Sequence, residues 1–468
     1  MKPDRHFFRI RNESSYGSVS LNSIAHTRPQ WFAALAAVLI GAPAPGQADL
    51  SGATWDDPVK VASGEAHQGP WRMNASQFHY VDDPTVAINE AGVVGIAWAD
   101  QTRQDIYFQI YAPDGAKRFK EPVNVSRTPG IFSWLPRMVI AGDDAGSVYF
   151  LWQEIVFSGG SHGGEIFFAR SSDGGRTFDG PVNLSNSIAG DGKGRLTQRS
   201  WHNGSLDLAM GPNGMLYAAW TEYEGALWLV RSADGGDSFS QPLRIAGGEG
   251  ARPARGPSLA IDADNAVYVA WAVGEDRAAD IHFAKSDNAG QSFGTPRIAF
   301  KSGGHCDAPK IAVDGEGVVH LVYAESPAGP FVRYHIRYAR SNDGARSFEK
   351  SREISGPLSD KYASSYFPSL SADGEGNLYV LWELFPERGS RTRGLGFTIS
   401  RDAGRTFASP SVIPGSADPA LGDNGGRQGL LMRKLAVNRA GAIAVVNSSF
   451  KRNESSHVWL IRGDRGGR

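Results

Sequence analysis

Short apolar runs that end on an aromatic ring recur along the chain. They are Val93-Val-Gly-Ile-Ala-Trp98, Val148-Tyr-Phe-Leu-Trp152, Leu216-Tyr-Ala-Ala-Trp220, Val267-Tyr-Val-Ala-Trp271, Val319-His-Leu-Val-Tyr323 and Leu378-Tyr-Val-Leu-Trp382. Runs this short and this continuous predict strands covered on both faces, as in sheets packed between other sheets. Ala440-Gly-Ala-Ile-Ala-Val-Val-Asn447 reads as a seventh copy, followed by one more strand near His457 to Ile461, where the chain nearly ends.

Between these runs an octapeptide repeats. It stands as Ser171-Ser-Asp173-Gly-Gly175-Arg-Thr177-Phe178, with further copies centred on Asp234, Asn288, Asp343 and Asp402 and a worn copy around Asp114 and Phe119. Its third positions, 114, 173, 234, 288, 343 and 402, recur 54 to 61 residues apart, about the length of a four-stranded propeller blade. The octapeptide is a turn: a short acid accepts bonds from amides just ahead, glycine takes a positive φ, and Phe anchors the turn in the sheet. These acids are therefore structural. A calcium loop is the rival reading, but no Glu recurs at the twelfth position.

The pattern S-x-D-x-G-x-T-F is the Asp box, and over nearly all of its mature length the chain resembles the bacterial neuraminidase (sialidase) repeat family. The expected fold is an all-β, seven-bladed β-propeller, with six blades, the number in sialidases, as the alternative. Thr54-Trp-Asp-Asp-Pro58-Val-Lys-Val61 matches Thr177-Phe-Asp-Gly-Pro181-Val-Asn-Leu184, so the N-terminal strand is expected to complete the last blade. That closure removes exposed sheet edges.

Composition adds bounds. The 468 residues carry 57 Gly, 26 Pro and 12 Trp, a turn-rich chain able to bury large rings. A net charge of -1 gives no general pull toward nucleic acid or anionic lipid. Trp31 to Ile40 is an apolar run too short to span a bilayer comfortably, and small residues follow it through Ala48. Residues 1–48 read as a signal peptide with an extended N-terminal region, and 49–468 as one propeller domain. The reading is an exported bacterial protein, periplasmic or secreted, without stable membrane insertion after cleavage. An early start codon or a short membrane anchor is the alternative. Cys306 is the single cysteine, so no intrachain disulfide forms.

The Asp boxes occupy one rim, and the opposite rim carries the richer loops. It holds aromatic and charged residues including Trp134, Arg137, Trp201, His202, Arg433 and Tyr366, with second strands ending in Asp100, Glu154, Glu222, Glu325 and Glu383. Arginines with indoles suit a hydroxylated, acidic ligand; the plain alternative is that rim acids and arginines pair with one another. The resemblance to sialidases implies Tyr366 as nucleophile with Glu383 beside it, Asp105 as acid (Asp100 competing), and Arg277 and Arg333 on the ligand carboxylate. Arg137, Trp134, Trp201, His202 and Arg433 complete the expected substrate-binding set. Two departures stand out. Asp82 occupies the place of the family's first arginine, and Arg255-Gly-Pro257 stands where a glutamate should serve the tyrosine, leaving another rim acid such as Glu222 to move in. His305-Cys306-Asp307 is a compact soft-ligand cluster, read as chance grouping, with Cys306 a reactive candidate. The expectation is a sialidase-like exo-glycosidase or lyase acting on glycans, monomeric, with neither cofactor nor metal. The alternative is a non-catalytic propeller that binds a glycan or protein.

Overall fold

The chain divides into a unit of Met1–Pro45 and a unit of Gly46–Arg468. The computed structural model describes residues 52–69, 77–128, 132–143, 146–158, 161–186, 205–222, 225–248, 250–274, 278–330, 332–387, 390–424 and 433–466, with the side chains of 155–164 excepted. Residues 1–48, read from the sequence as a signal peptide, and Trp201, His202 and Arg277 lie outside the described residues. Among those described, no helix is long and apolar enough to cross a membrane.

The second unit is a seven-bladed β-propeller. Blade 4 shows the plan, with Ala254–Ile261, Val267–Val273, Asp280–Ser286 and Arg297–Phe300 paired antiparallel in chain order. The innermost strands of the others are Val81–Ile88, Phe132–Ala141, Leu206–Met210, His305–Val313, Ser364–Ala372 and Leu435–Val437. Blade 7 is closed from the other end of the chain, because Val59–Gly64 and Thr54–Trp55 both pair with Ser455–Asp464. The apolar runs are the second strands; Trp152, Trp220, Trp271 and Trp382 are fully buried, which explains why each run lacks a polar face.

The octapeptides form the turns between third and fourth strands. Asp173 Oδ1 accepts the Thr177 N–H at 2.9 Å and the Ser171 hydroxyl at 2.7 Å, while Oδ2 accepts the Thr177 hydroxyl at 2.6 Å. Asp234, Asp343 and Asp402 repeat this set, and Asn288 keeps the Oδ1 half of it at 3.0 Å from the Ser292 N–H. Gly175 is required twice over: its φ is +84°, and a Cβ would sit 2.4 Å from the Phe108 ring of the preceding blade.

A second repeat organises the opposite rim. Asp82-Asp83-Pro84, Trp134-Leu135-Pro136, Arg255-Gly256-Pro257, Asp307-Ala308-Pro309 and Tyr366-Phe367-Pro368 all lie in innermost strands. Each middle residue has a φ between 52° and 60°, and pairing to the second strand slips there in every case. These are β-bulges that re-aim the residue before the slip, and the following proline needs no ladder donor.

Candidate functional site

The shared bulge sets Arg255, Asp307 and Tyr366 at the same level of blades 4, 5 and 6. Their side chains then meet across blade boundaries. The Tyr366 hydroxyl donates to Asp307 Oδ2 at 2.6 Å, and Arg255 Nη1 lies 3.3 Å from the same oxygen. Burial works to raise the Asp307 carboxyl, but the Arg255 guanidinium and the bond from Tyr366 outweigh it and hold the group below the usual range. Tyr366 is pushed well above the ordinary phenol value by burial and by the Asp307 charge, so its proton stays on oxygen in the resting state. Tyr334 stacks on Tyr366 with ring centres 4.0 Å apart and planes 3° from parallel, and its hydroxyl is 2.9 Å from His305 Nδ1. Burial lowers the His305 imidazole, which is neutral at pH 7.

Glu383 stands apart from the other acids ending second strands. Asp100, Glu154, Glu222 and Glu325 each lie two residues beyond the aromatic that ends the run, whereas Glu383 follows Trp382 directly. One residue of offset turns a strand side chain to the opposite face. Glu383 is the register partner of Tyr366, yet its carboxylate reaches across to Lys434 Nζ at 2.5 Å, which also lies 3.3 Å from Asn447 Oδ1. The tyrosine's carboxylate partner is thus Asp307, not Glu383 or Glu222. Blade 1 adds two buried acids to the Lys434 neighbourhood. Asp82 accepts the Ser448 hydroxyl at 3.0 Å and is pushed up to about 6 by burial. Asp83 is raised well above the carboxylate range by burial and by Asp82, and its Oδ1 has no hydrogen-bond partner among the described residues.

The remaining expected residues fall elsewhere. Asp105 opens the third strand of blade 1 and accepts from Asn124 Nδ2 at 2.8 Å and the Ser126 hydroxyl at 2.5 Å, pinning the segment after the fourth strand. Asp280 does the same in blade 4 through the Ser302 N–H at 3.0 Å, so Asp105 belongs to a recurring clamp. Asp100 is held by Arg103 at 2.6 Å. Arg333 donates to the Ser359 carbonyl and lies 3.9 Å from Asp360. Trp134 is buried in the core against Phe132 and presents no face to solvent. Arg137 and Arg433 converge on Asp207, at 3.7 Å and 2.7 Å. His305 and Asp307 are on the tyrosine side of their strand, while Cys306 between them is fully buried and burial pushes its thiol up, which argues against reactivity. The partnership of Asp307 with Tyr366 was readable from the five x-x-Pro bulges, whose first positions name one ring. Among the described residues no three His, Cys, Asp or Glu side chains are placed to hold a metal ion.

No family model and no curated protein sequence matches the chain. Solved structures do. An ulvan lyase superposes with a TM-score of 0.55 at 12% identity, covering 88% of this chain and 97% of that one. A second polysaccharide lyase gives 0.52 at 9% identity over 86% and 92%. A variant of the NanB sialidase from Streptococcus pneumoniae gives 0.45 at 10% identity over 71% and 67%, a distant match. The two lyase superpositions show a shared β-propeller fold, and identities this low speak to fold alone.

Proposed function

We propose that the chain is a glycan-cleaving enzyme whose reactive group is Tyr366, with Asp307 as its base and Arg255 keeping that base ionised. The observation that carries this reading is the 2.6 Å bond between Tyr366 and Asp307, with Arg255 on the same oxygen. Proton transfer to Asp307 leaves a phenolate, which has two uses on a sugar. It can attack an anomeric carbon that bears a carboxylate and displace the linked sugar, or it can remove the proton beside a uronate carboxylate so that a double bond forms and the 4-linked sugar is expelled. The departing oxygen in either case takes the proton held by Asp307.

The second use fits better. The first needs an arginine clamp, yet Arg333 is tied to Ser359 and Asp82 occupies the clamp's first position. Elimination needs one cation near the substrate carboxylate, and Arg255 is beside the tyrosine. The substrate class is then a uronate-containing polysaccharide, and the likeness to lyase propellers adds reason to try such glycans first. The Tyr366–Asp307 distance keeps hydrolysis by a tyrosine nucleophile as a second reading.

The test is a panel of uronate polysaccharides and fluorogenic sialosides, with wild type and Tyr366→Phe compared. Ultraviolet absorbance from an unsaturated uronate, absent in the variant, supports elimination. New reducing ends without that absorbance support hydrolysis; no turnover on any glycan favours the binding propeller. We also propose export, on the strength of Trp31 to Ile40 and the small residues after it, and a monomer; cell fractionation and light scattering test these.

A further inference from the structure

Below the Tyr366 level, the innermost strands of all seven blades enclose a cavity of about 380 Å³. Its lining is almost entirely Val, Ile, Leu, Ala and Met with a few serines, and its charged members are Arg137, Asp207, Lys310 and Arg433. Three cations therefore face one carboxylate in an otherwise apolar channel. The register explains the gathering. Arg137, Lys310 and Ser369 each follow the bulge proline in their strands, and Asp207 takes the same level in blade 3, paired to Ala219 as Ser258 is to Ala270.

The carboxylate is already committed. Asp207 Oδ1 accepts from Arg433 at 2.7 Å, and Oδ2 accepts the Leu259 N–H at 2.9 Å. Lys310 is given no hydrogen bond or ion pair by the described residues. The acids that could offset it are engaged or have their charge disfavoured by burial. Asp307, on its own strand, serves Arg255 and Tyr366, and the charge of Asp83, facing Arg137 from blade 1, is disfavoured by burial and by neighbouring Asp82. The mutual repulsion is visible in the groups themselves. Burial, followed by the Arg137 guanidinium, pushes Lys310 down to about 8, and burial pushes Arg137 down to about 10 with Arg433 adding to it.

A doubly charged oxyanion satisfies this arrangement, because a tetrahedral or planar group of oxygens accepts from two guanidinium forks and an ammonium together. We infer that the cavity is a binding site for a sulfate-type oxyanion held by Lys310, Arg137 and Arg433. A sulfate ester on a glycan entering from the open rim, a monoanion with three free oxygens, and free inorganic sulfate, a dianion, offer the same kind of acceptor oxygens. The assignment to a glycan substituent rests on the proposed function, whereas the site itself does not.

The experiment titrates the full chain with sodium sulfate at an ionic strength held constant with sodium chloride, reading Tm by calorimetry and affinity by titration calorimetry. Sulfate raises Tm saturably, Lys310→Met weakens its affinity at least tenfold, and Lys285→Met on the opposite rim leaves it unchanged. Without sulfate, Lys310→Met melts above wild type, since one of three facing cations is gone. Arg433→Gln repeats the loss of affinity if Lys310→Met fails to fold. No response beyond that of chloride, or a response intact in both variants, overturns the inference. A sulfated monosaccharide binding more tightly than inorganic sulfate identifies a glycan group; weaker binding identifies a resident ion. The same titration in Tyr366→Phe separates this result from the fate of the elimination reading, because it needs no turnover.

Discussion

Tyr366 and Asp307 are 59 residues apart in sequence, and the hydroxyl of one donates to the carboxylate of the other at 2.6 Å. That separation is one blade. The pair exists because two successive repeats carry the same bulge and hold unlike side chains at its first position. Tyr366→Phe removes the hydroxyl while leaving the Tyr334 and Phe367 stacks in place. Turnover is expected to fall about 10²–10⁴-fold, with a stability loss of only about 1–3 kcal/mol from the missing bond to a charged group. Steady-state kinetics beside a thermal melt checks both.

Glu383 and Lys434 form a buried ion pair between blades 6 and 7. Lys434→Met strands the Glu383 carboxylate and is expected to cost about 3–5 kcal/mol. The double variant with Glu383→Leu should recover much of that loss, because the penalty comes from an unpaired buried charge. Denaturant unfolding of the two single variants and the double separates the coupling from the burial.

Stability should fall in acid through the Asp boxes. Burial tends to raise Asp173, but the bonds from Thr177 and Ser171 prevail and hold it at about 2; Asp234, Asp343 and Asp402 are shifted in the same direction by the same kind of bonds. A folded-state value below the unfolded one means that the stabilisation is present above the ordinary carboxylate pKa of about 4 and is lost as pH falls toward 2. Asp173→Asn keeps the backbone acceptor, as Asn288 does naturally, and should flatten part of this slope in a series of melts against pH.

Asp82 has the opposite sign. Burial raises it to about 6, so the folded state holds a proton that the unfolded chain releases near pH 4. Its contribution is fully present below about pH 4 and disappears as pH rises through 6. Asp82→Asn should therefore lose less stability than wild type between pH 5 and 8.

Cys306 is fully buried and its thiol is pushed up by that burial. Native protein should resist a thiol-specific chromogenic reagent at pH 8 and react with one equivalent in denaturant. Rapid labelling of the folded chain would show that its strand opens readily.

The fold was legible because repetition amplifies a weak signal: one aspartate-glycine turn says little, and five at a blade's spacing define a ring. The unmatched termini were equally readable, since Thr54 to Val61 copies the segment after an Asp box and the last blade lacks that piece. The site was legible in part. Tyr366 was named through the resemblance to sialidases, but its contact with Asp307 depends on how neighbouring blades align, and no single strand records that. Glu383 misled because one residue of offset from Trp382, invisible in a list of strand-end acids, sends its side chain to Lys434. Trp134 misled because an aromatic near a rim loop reads as a platform until the bulge beside it is seen to turn the ring into the core.

The fourth strand of blade 7, Val59–Gly64, is made near the beginning of the chain and pairs with Ser455–Asp464, made near its end. During synthesis that segment has nothing to lie on until Ser455–Asp464 has been added. The circle therefore stays open on the ribosome and through any translocation of an extended chain, and it latches only once that closing strand is present. A prematurely terminated product carries an unsealed sheet edge, which marks it for aggregation or proteolysis.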